Sequence, residues 1–269
     1  HIPQPLVKTS ALHNPCVPEQ GWPAERRSFT RKQLDEISAI KQRHARTCLI
    51  PSASLRVNPR QNSCHDLLLK ETFPGIVSIL IPFRDRVELT KTCVQSLQAN
   101  ASDSVPFEII LIDNGSEEDC TKTWIQEITQ STNIHCLRID EPFNFSRLNN
   151  LARKACNGDY LLFLNNDIEF LSSNILNQLL DPFAHPGTAA VGARLLYPDR
   201  SIQHQGVVII KGERRCVLEP GKHLHQPEVI DSLIPLKVQE EFSAASAACL
   251  LVKADRFDAI GGFNEELAV

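Results

Sequence analysis

Methionine is absent from these 269 residues, and aromatic side chains are scarce, with two Trp and two Tyr. A chain that starts at His1 and carries no Met reads as a piece cut from a longer protein. No apolar run approaches the ~20 residues needed to cross a bilayer, and the first residues carry no secretory signal. A soluble, cytoplasmic chain is expected, at most peripheral to the inner face of a membrane. Positive charge is not in excess: the formal net charge is -4 and the pI is near 6.2. That excludes the basic footprint of a nucleic-acid binder. The nine cysteines are scattered and none forms a Cys-x-x-Cys pair, so neither a disulfide framework nor a zinc site is indicated and reduced thiols are expected. No Gly-x-Gly-x-x-Gly follows the first strong strand, and no Gly-x-x-x-x-Gly-Lys-Ser/Thr occurs. Dinucleotide folds and P-loops are therefore disfavoured, and a nucleotide would be held by acidic and amide side chains with a metal.

What is present is centred on residues 160–169. Tyr160-Leu161-Leu162-Phe163-Leu164 is too short for a helix, follows Gly158-Asp159, and reads as a strand buried on both faces. It delivers Asn165, Asn166 and Asp167 to the carboxyl edge of a sheet, where open α/β sheets bind ligands. Asp167 among carboxamides suits Mg²⁺ or Mn²⁺, which take only one or two protein carboxylates. The alternative is that Asn-Asn-Asp caps a following helix.

Around this stretch the chain alternates strand and helix. Residues 76–81 read as a buried strand stopped by Pro82, 87–100 as an amphipathic helix, 107–112 as a strand ending in Asp113, and 117–130 as a helix. A strand over 134–139 and a helix over 146–157 precede the strand at 160. That order predicts a parallel, doubly wound sheet with right-handed crossovers. It sets residues 82–85, 113–116 and 165–167 around one cleft. Further on, strands are expected over 189–196, 206–210 and 243–252, a long lid or acceptor loop over 211–237, and a short helix over 254–260. His204, His223 and His225 are too widely spaced for a convincing metal cluster. Residues 1–73 carry Pro3, Pro5, Pro15, Pro18 and Pro23, one helical pattern over 30–45 and then Pro51 and Pro59. They are expected to be linker and helical appendage, outside the site.

Val77-Ser78-Ile79-Leu80-Ile81-Pro82, the run from Glu108 through Asp113-Asn114-Gly115-Ser116, and Gly158-Asp159 through Asp167 resemble glycosyltransferase family 2 with the GT-A fold. Phe143-Asn144-Phe145-Ser146-Arg147-Leu148-Asn149-Asn150, Val191-Gly192-Ala193-Arg194, Gln203-His204-Gln205-Gly206 and Gly261-Gly262-Phe263-Asn264-Glu265 resemble its rhamnosyltransferase-like, O-antigen-type bacterial members. The similarity covers about residues 74–269. His1-Ile2-Pro3 resembles the tail of a preceding glycosyltransferase module.

The resemblance implies inverting transfer of a sugar from a nucleotide diphosphate to a saccharide or lipid-linked saccharide in cell-surface polysaccharide synthesis. It implies Asp167 as the residue for Mn²⁺ or Mg²⁺, with Asn165 replacing the first Asp of the family's Asp-x-Asp. It places the donor nucleotide against Pro82, Arg84, Asp85, Asp113, Asn144, Asn149 and Asn166. An ionised Asp113 would accept from the imide and hydroxyls of a uracil or thymine nucleotide, or simply form an Asx-turn with Asn114-Gly115. The expected catalytic base lies in an acidic motif beyond Val269, so neither Glu265 nor Glu266 is assigned that role. Two other classes compete. A nucleotidyltransferase would need a Gly-rich basic loop where Pro82-Phe83-Arg84-Asp85 stands. A non-catalytic module binding a nucleotide sugar or a partner glycosyltransferase would lack only turnover.

Overall fold

The computed structural model describes residues 7–9, 75–101, 104–210, 216–219 and 241–267. The helical pattern over 30–45, most of the loop over 211–237, and His223 and His225 lie outside the described residues. The main body is a six-stranded sheet in the order β4-β3-β2-β5-β12-β7. β2 (Val77–Phe83), β3 (Phe107–Asp113), β4 (Ile134–Arg138) and β5 (Tyr160–Leu164) run parallel. β12 (Cys249–Lys253) lies antiparallel to β5 and to β7 (Ala190–Gly192).

Strand alternation sorts the side chains into two cores, one on each face. Ile79, Ile81, Ile109, Leu111, Leu162 and Leu164 face α1 (Val87–Asn100) and α2 (Asp119–Ile128). Leu80, Ile110, Ile112, Leu161 and Phe163 face α3 (Phe145–Arg153) and α5 (Ala254–Ala259). Both faces of the central strands are covered, which is why those strands read as unbroken apolar runs rather than alternating ones.

Five expectations are corrected, the last of them the end of α3. β2 continues through Pro82 to Phe83, because its ladder with β5 ends at Leu80 while that with β3 runs on to Phe83. Proline's missing N–H therefore costs no bond on the β5 side. No helix follows Asp167: the chain enters β6 (Ile168–Phe170), and α4 (Ile175–Leu180) starts only after Asn174. The helix-cap alternative for Asn165-Asn166-Asp167 is thereby removed. Val7–Thr9, placed by composition in a linker, forms β1 of a second sheet ordered β6-β1-β8-β9, with β8 at Leu195–Leu196 and β9 at Ile202–His204. Within the expected loop, β11 (Cys216–Leu218) pairs with β10 (Val208–Ile210) as a hairpin.

α3 stops at Arg153, short of the expected Asn157, because a buried network captures the chain beyond it. Glu108 Oε1 accepts from Ser78 Oγ at 2.5 Å and from the Asn157 N–H at 2.6 Å, and Oε2 accepts from Asn157 Nδ2 at 3.1 Å. Ser78 Oγ in turn accepts from the Gly158 N–H at 2.7 Å. Burial by itself pushes the Glu108 carboxyl up, but the donated hydrogen bonds outweigh it and hold it below its ordinary value. A folded pKa below the unfolded value of about 4.3 gives stability that is present above about pH 4.3 and lost as the pH falls through the folded value. Glu108→Gln is expected to cost about 1.5–3 kcal/mol at pH 7, since it removes hydrogen bonds to a charged group. Urea titrations at pH 7 and pH 4 should show the wild-type advantage shrinking at the lower pH.

Candidate functional site

The carboxyl ends of β2, β3, β4 and β5 meet in a rim sewn together by short polar contacts. After β2, Asp85 and Arg86 take left-handed backbone conformations, with φ of 49° and 46°. Such strain persists only where surroundings fix it, and it gathers at functional loops. Here the Asp85 N–H donates to Ser116 Oγ at 2.8 Å, and the Arg86 N–H donates to Glu118 Oε2 at 3.2 Å. Asp85 Oδ1 accepts from the Glu117 and Glu118 N–H groups at 2.8 and 3.0 Å, capping the entry to α2 from another loop. Arg84 pairs with Glu117 at 3.7 Å in the open.

Asp113, 2% exposed, forms the turn given above as its alternative role: Oδ1 accepts from the Ser116 N–H at 2.8 Å. Its Oδ2 takes Arg138 Nη1 at 2.8 Å, and the same guanidinium donates to Ser116 O at 3.0 Å. Arg138 was missed in the sequence, although it stands at the carboxyl end of β4 as Asp113 does at the end of β3. Asn114 Nδ2 ties this loop to Ile139 O and Glu141 O at 2.9 and 2.8 Å. A cavity of about 520 Å³ lies beside it between β4 and α2. Asp113, Lys122, His135 and Arg138 line this cavity, but Asp85, Asn166 and Asp167 do not. The cavity is therefore adjacent to the rim and does not include Asp167.

Asp167 stands in the turn between β5 and β6, half-buried. Burial pushes its carboxyl above the ordinary aspartate value, so a nearby cation would relieve a desolvated charge. The turn is pinned on two sides. The Asn165 N–H donates to Ala248 O at 3.0 Å, and Asn166 Nδ2 donates to Thr90 Oγ1 at 3.1 Å, on α1. Among the described residues no three His, Cys, Asp or Glu side chains converge as a self-sufficient metal cage. One half-buried carboxylate beside amides instead fits a cation that brings further oxygens, such as diphosphate and water.

Across the rim, α3 grips the Gly-Gly-Phe-Asn-Glu segment. Asn144 caps α3 by accepting from the Arg147 N–H at 2.9 Å, and its Nδ2 donates to Glu265 O at 2.8 Å. Asn150 Oδ1 accepts from the Phe263 N–H at 2.9 Å, while Nδ2 donates to Phe263 O and Glu265 Oε1, each at 2.9 Å. Arg147 joins Glu141 and Glu265, the latter at 3.3 Å. The Asn150 and Arg147 donors hold the Glu265 carboxyl below its usual value, which makes it a weak base and a good strut. Gly262 has φ of +81°, and a Cβ there would sit 2.5 Å from Asn150 Oδ1, so the grip needs glycine. Asn149 is fully buried, donating to Phe145 O at 2.8 Å, with its Oδ1 unpartnered.

On the far side His204 is buried, and its Nε2 accepts from the Gly206 and Ser246 N–H groups at 3.2 and 3.0 Å. An imidazole nitrogen occupied in this way fastens two loops and is not free to bind a metal. Its neighbour Gln205 is 8% exposed, and among the described residues neither end of its carboxamide has a partner.

The family model for glycosyl transferase family 2 matches residues 78–235. The chain is 39% identical over 196 residues to the uncharacterized protein y4gI of Sinorhizobium fredii, covering 72% of this chain and 21% of that one. It is 32% identical over 193 residues to the O-antigen biosynthesis protein RfbC of Myxococcus xanthus, covering 72% and 15%. The chain thus spans about a fifth or less of the length of these relatives. A mannosyltransferase of Pyrobaculum calidifontis, solved with GDP-Man and Mn²⁺, shares the GT-A architecture at a TM-score of 0.51 and 13% identity, over 75% of this chain and 53% of that one.

Proposed function

The chain belongs to glycosyl transferase family 2, and from that premise we propose that it transfers a sugar from a nucleotide diphosphate to a saccharide acceptor, with inversion, in the synthesis of a bacterial surface polysaccharide. The observation that carries this is the position of Asp167. A half-buried carboxylate, disfavoured by its burial, stands at the carboxyl end of a central strand within a rim of amides. Similarity to an O-antigen biosynthesis protein supports the polysaccharide setting.

In the proposed reaction the acceptor hydroxyl oxygen attacks the anomeric carbon from the face opposite the diphosphate. The bond from that carbon to the phosphate oxygen breaks, and the acceptor proton passes to a base. A divalent cation at Asp167, Mn²⁺ or Mg²⁺, would neutralise the departing diphosphate. Asn166, fixed to α1, and Asp167 would hold the diphosphate end of the donor. Pro82, Arg84, Asp85, Asp113, Asn144 and Asn149 set the shape of the rim toward the nucleoside. Asp85, Asp113 and Asn144 already bind protein groups. Their proposed part is to fix loop geometry and to present backbone and arginine groups to the ligand. No described carboxylate is assigned as the base, since Glu265 and Asp258 are both held low, by Asn150 with Arg147 and by Arg153 respectively. The proposed cellular setting is the cytoplasmic side of the membrane, with neighbouring modules in the longer protein.

The test is thermal unfolding with UDP, dTDP and GDP, each with and without Mn²⁺. A ligand at ~100 times its dissociation constant stabilises by about 2.7 kcal/mol, a shift of roughly 5–10 °C for a domain of this size. One nucleotide should stand out, and only with the metal. Stabilisation by none of the three would refute the donor site.

A further inference from the structure

The strand β1 lies upstream of the family match, which begins at residue 78, yet it occupies an interior position in the four-stranded sheet. It is antiparallel to β6, with Thr9 opposite Ile168, Lys8 opposite Glu169 and Val7 opposite Phe170. On its other side it runs parallel to β8, with Val7 opposite Leu195 and Lys8 opposite Leu196. Ile168 is the residue after Asp167, so this ladder begins where the β5–β6 turn ends.

β6 needs a partner. Ile168 and Phe170 are 1% and 3% exposed, so the strand is held in the core, where backbone groups must be paired. One edge is served by α1. The Phe170 N–H donates to Ser96 Oγ at 3.2 Å, and Phe170 O accepts from Asn100 Nδ2 at 3.2 Å. Backbone groups alternate in direction along a strand, so those of Glu169 face the opposite edge, toward Lys8. Without β1 that edge would be unserved, and β6 and β8 would share no sheet. Upstream, the turn is fixed through Asn165 and Asn166 to Ala248 and Thr90; downstream, α1 holds one edge of β6 at Phe170 and β1 pairs with the other.

We propose that the space between β6 and β8 is a strand-accepting slot filled by Val7–Thr9, and that this insertion, together with α1, holds Asp167 in its binding position. The functional domain then includes a segment far upstream of the family match, docked by main-chain hydrogen bonds as in strand addition to a sheet. The consequence for the donor rests on the reading of Asp167 given above, whereas the slot itself does not.

Lys8→Pro in the full chain removes the one N–H that faces Glu169 and cannot be accommodated inside a sheet. Lys8→Ala keeps that N–H and serves as the control. Hydrogen exchange should be slow at residues 168–170 in the wild type and in Lys8→Ala. In Lys8→Pro it should be at least tenfold faster there, and unchanged in β2 and β3. The Mn²⁺-dependent affinity for whichever of UDP, dTDP and GDP binds should fall at least tenfold in Lys8→Pro alone. Unchanged exchange at 168–170 would overturn the slot. Faster exchange with unchanged affinity would overturn its role in placing Asp167. Absence of nucleotide binding by the wild type would refute the donor site instead, and the exchange rates would still decide the slot.

Discussion

Asp167→Ala is expected to abolish the Mn²⁺-dependent part of nucleotide stabilisation while leaving the unliganded protein at least as stable as the wild type. The carboxylate is half-buried and its charged form is disfavoured by that burial, so removing it relieves a cost when no ligand is bound. With ligand present the balance reverses. A cation bridging a carboxylate and a diphosphate loses its protein anchor, and the ~2.7 kcal/mol expected at 100 times the dissociation constant should vanish with it. Lewis-acid stabilisation of the leaving group is worth several kcal/mol, so sugar-transfer turnover should drop by two or more powers of ten. Asp167→Asn separates charge from shape: it keeps the size of the side chain and should behave like the alanine variant. Full metal-dependent binding by either variant would show that the cation is held elsewhere.

Phe163→Ala should be the most damaging core substitution near the site, at about 3–5 kcal/mol, a large share of the ~5–15 kcal/mol that holds a domain folded. The ring is fully buried in β5, four residues before Asp167. It packs on Phe263 and Phe257, with centroids 4.7 and 5.0 Å away, and Phe263 also packs on Phe145 at 5.8 Å. These rings lock the Gly-Gly-Phe segment and α3 onto the strand that presents Asp167. Their loss should lower the urea midpoint at unchanged slope and raise protease sensitivity at residues 261–265. Phe163→Leu retains much of the volume and should cost less than half as much. A loss under 1 kcal/mol for the alanine variant would mean that the cluster does not anchor that segment.

The central sheet was legible in the sequence because its strands are covered on both faces. Ile79-Leu80-Ile81, Ile109-Ile110-Leu111-Ile112 and Leu161-Leu162-Phe163-Leu164 have one fate whichever way each side chain points. α1 was equally legible over Val87–Asn100, since a helix on one face must show a periodic apolar stripe. Asp167 at the end of β5 followed from the same logic, and family motifs in order supplied the rest.

Tertiary structure alone decided matters that depend on distant partners. The end of α3 is set by Glu108, and the entry to α2 by Asp85, which donors and acceptors close in sequence do not reveal. Asp113 and Arg138 meet only because β3 and β4 are neighbours, and Arg147 spans Glu141 and Glu265 only because the carboxyl-terminal motif folds back on α3. Strands β1, β6 and β9 were missed for the same reason. Three residues carry no periodicity, and such a segment becomes a strand when separate stretches of chain supply its hydrogen bonds. Apolar burial on both faces writes itself locally into composition, whereas polar pairing and short-strand addition are set by where the chain returns to itself.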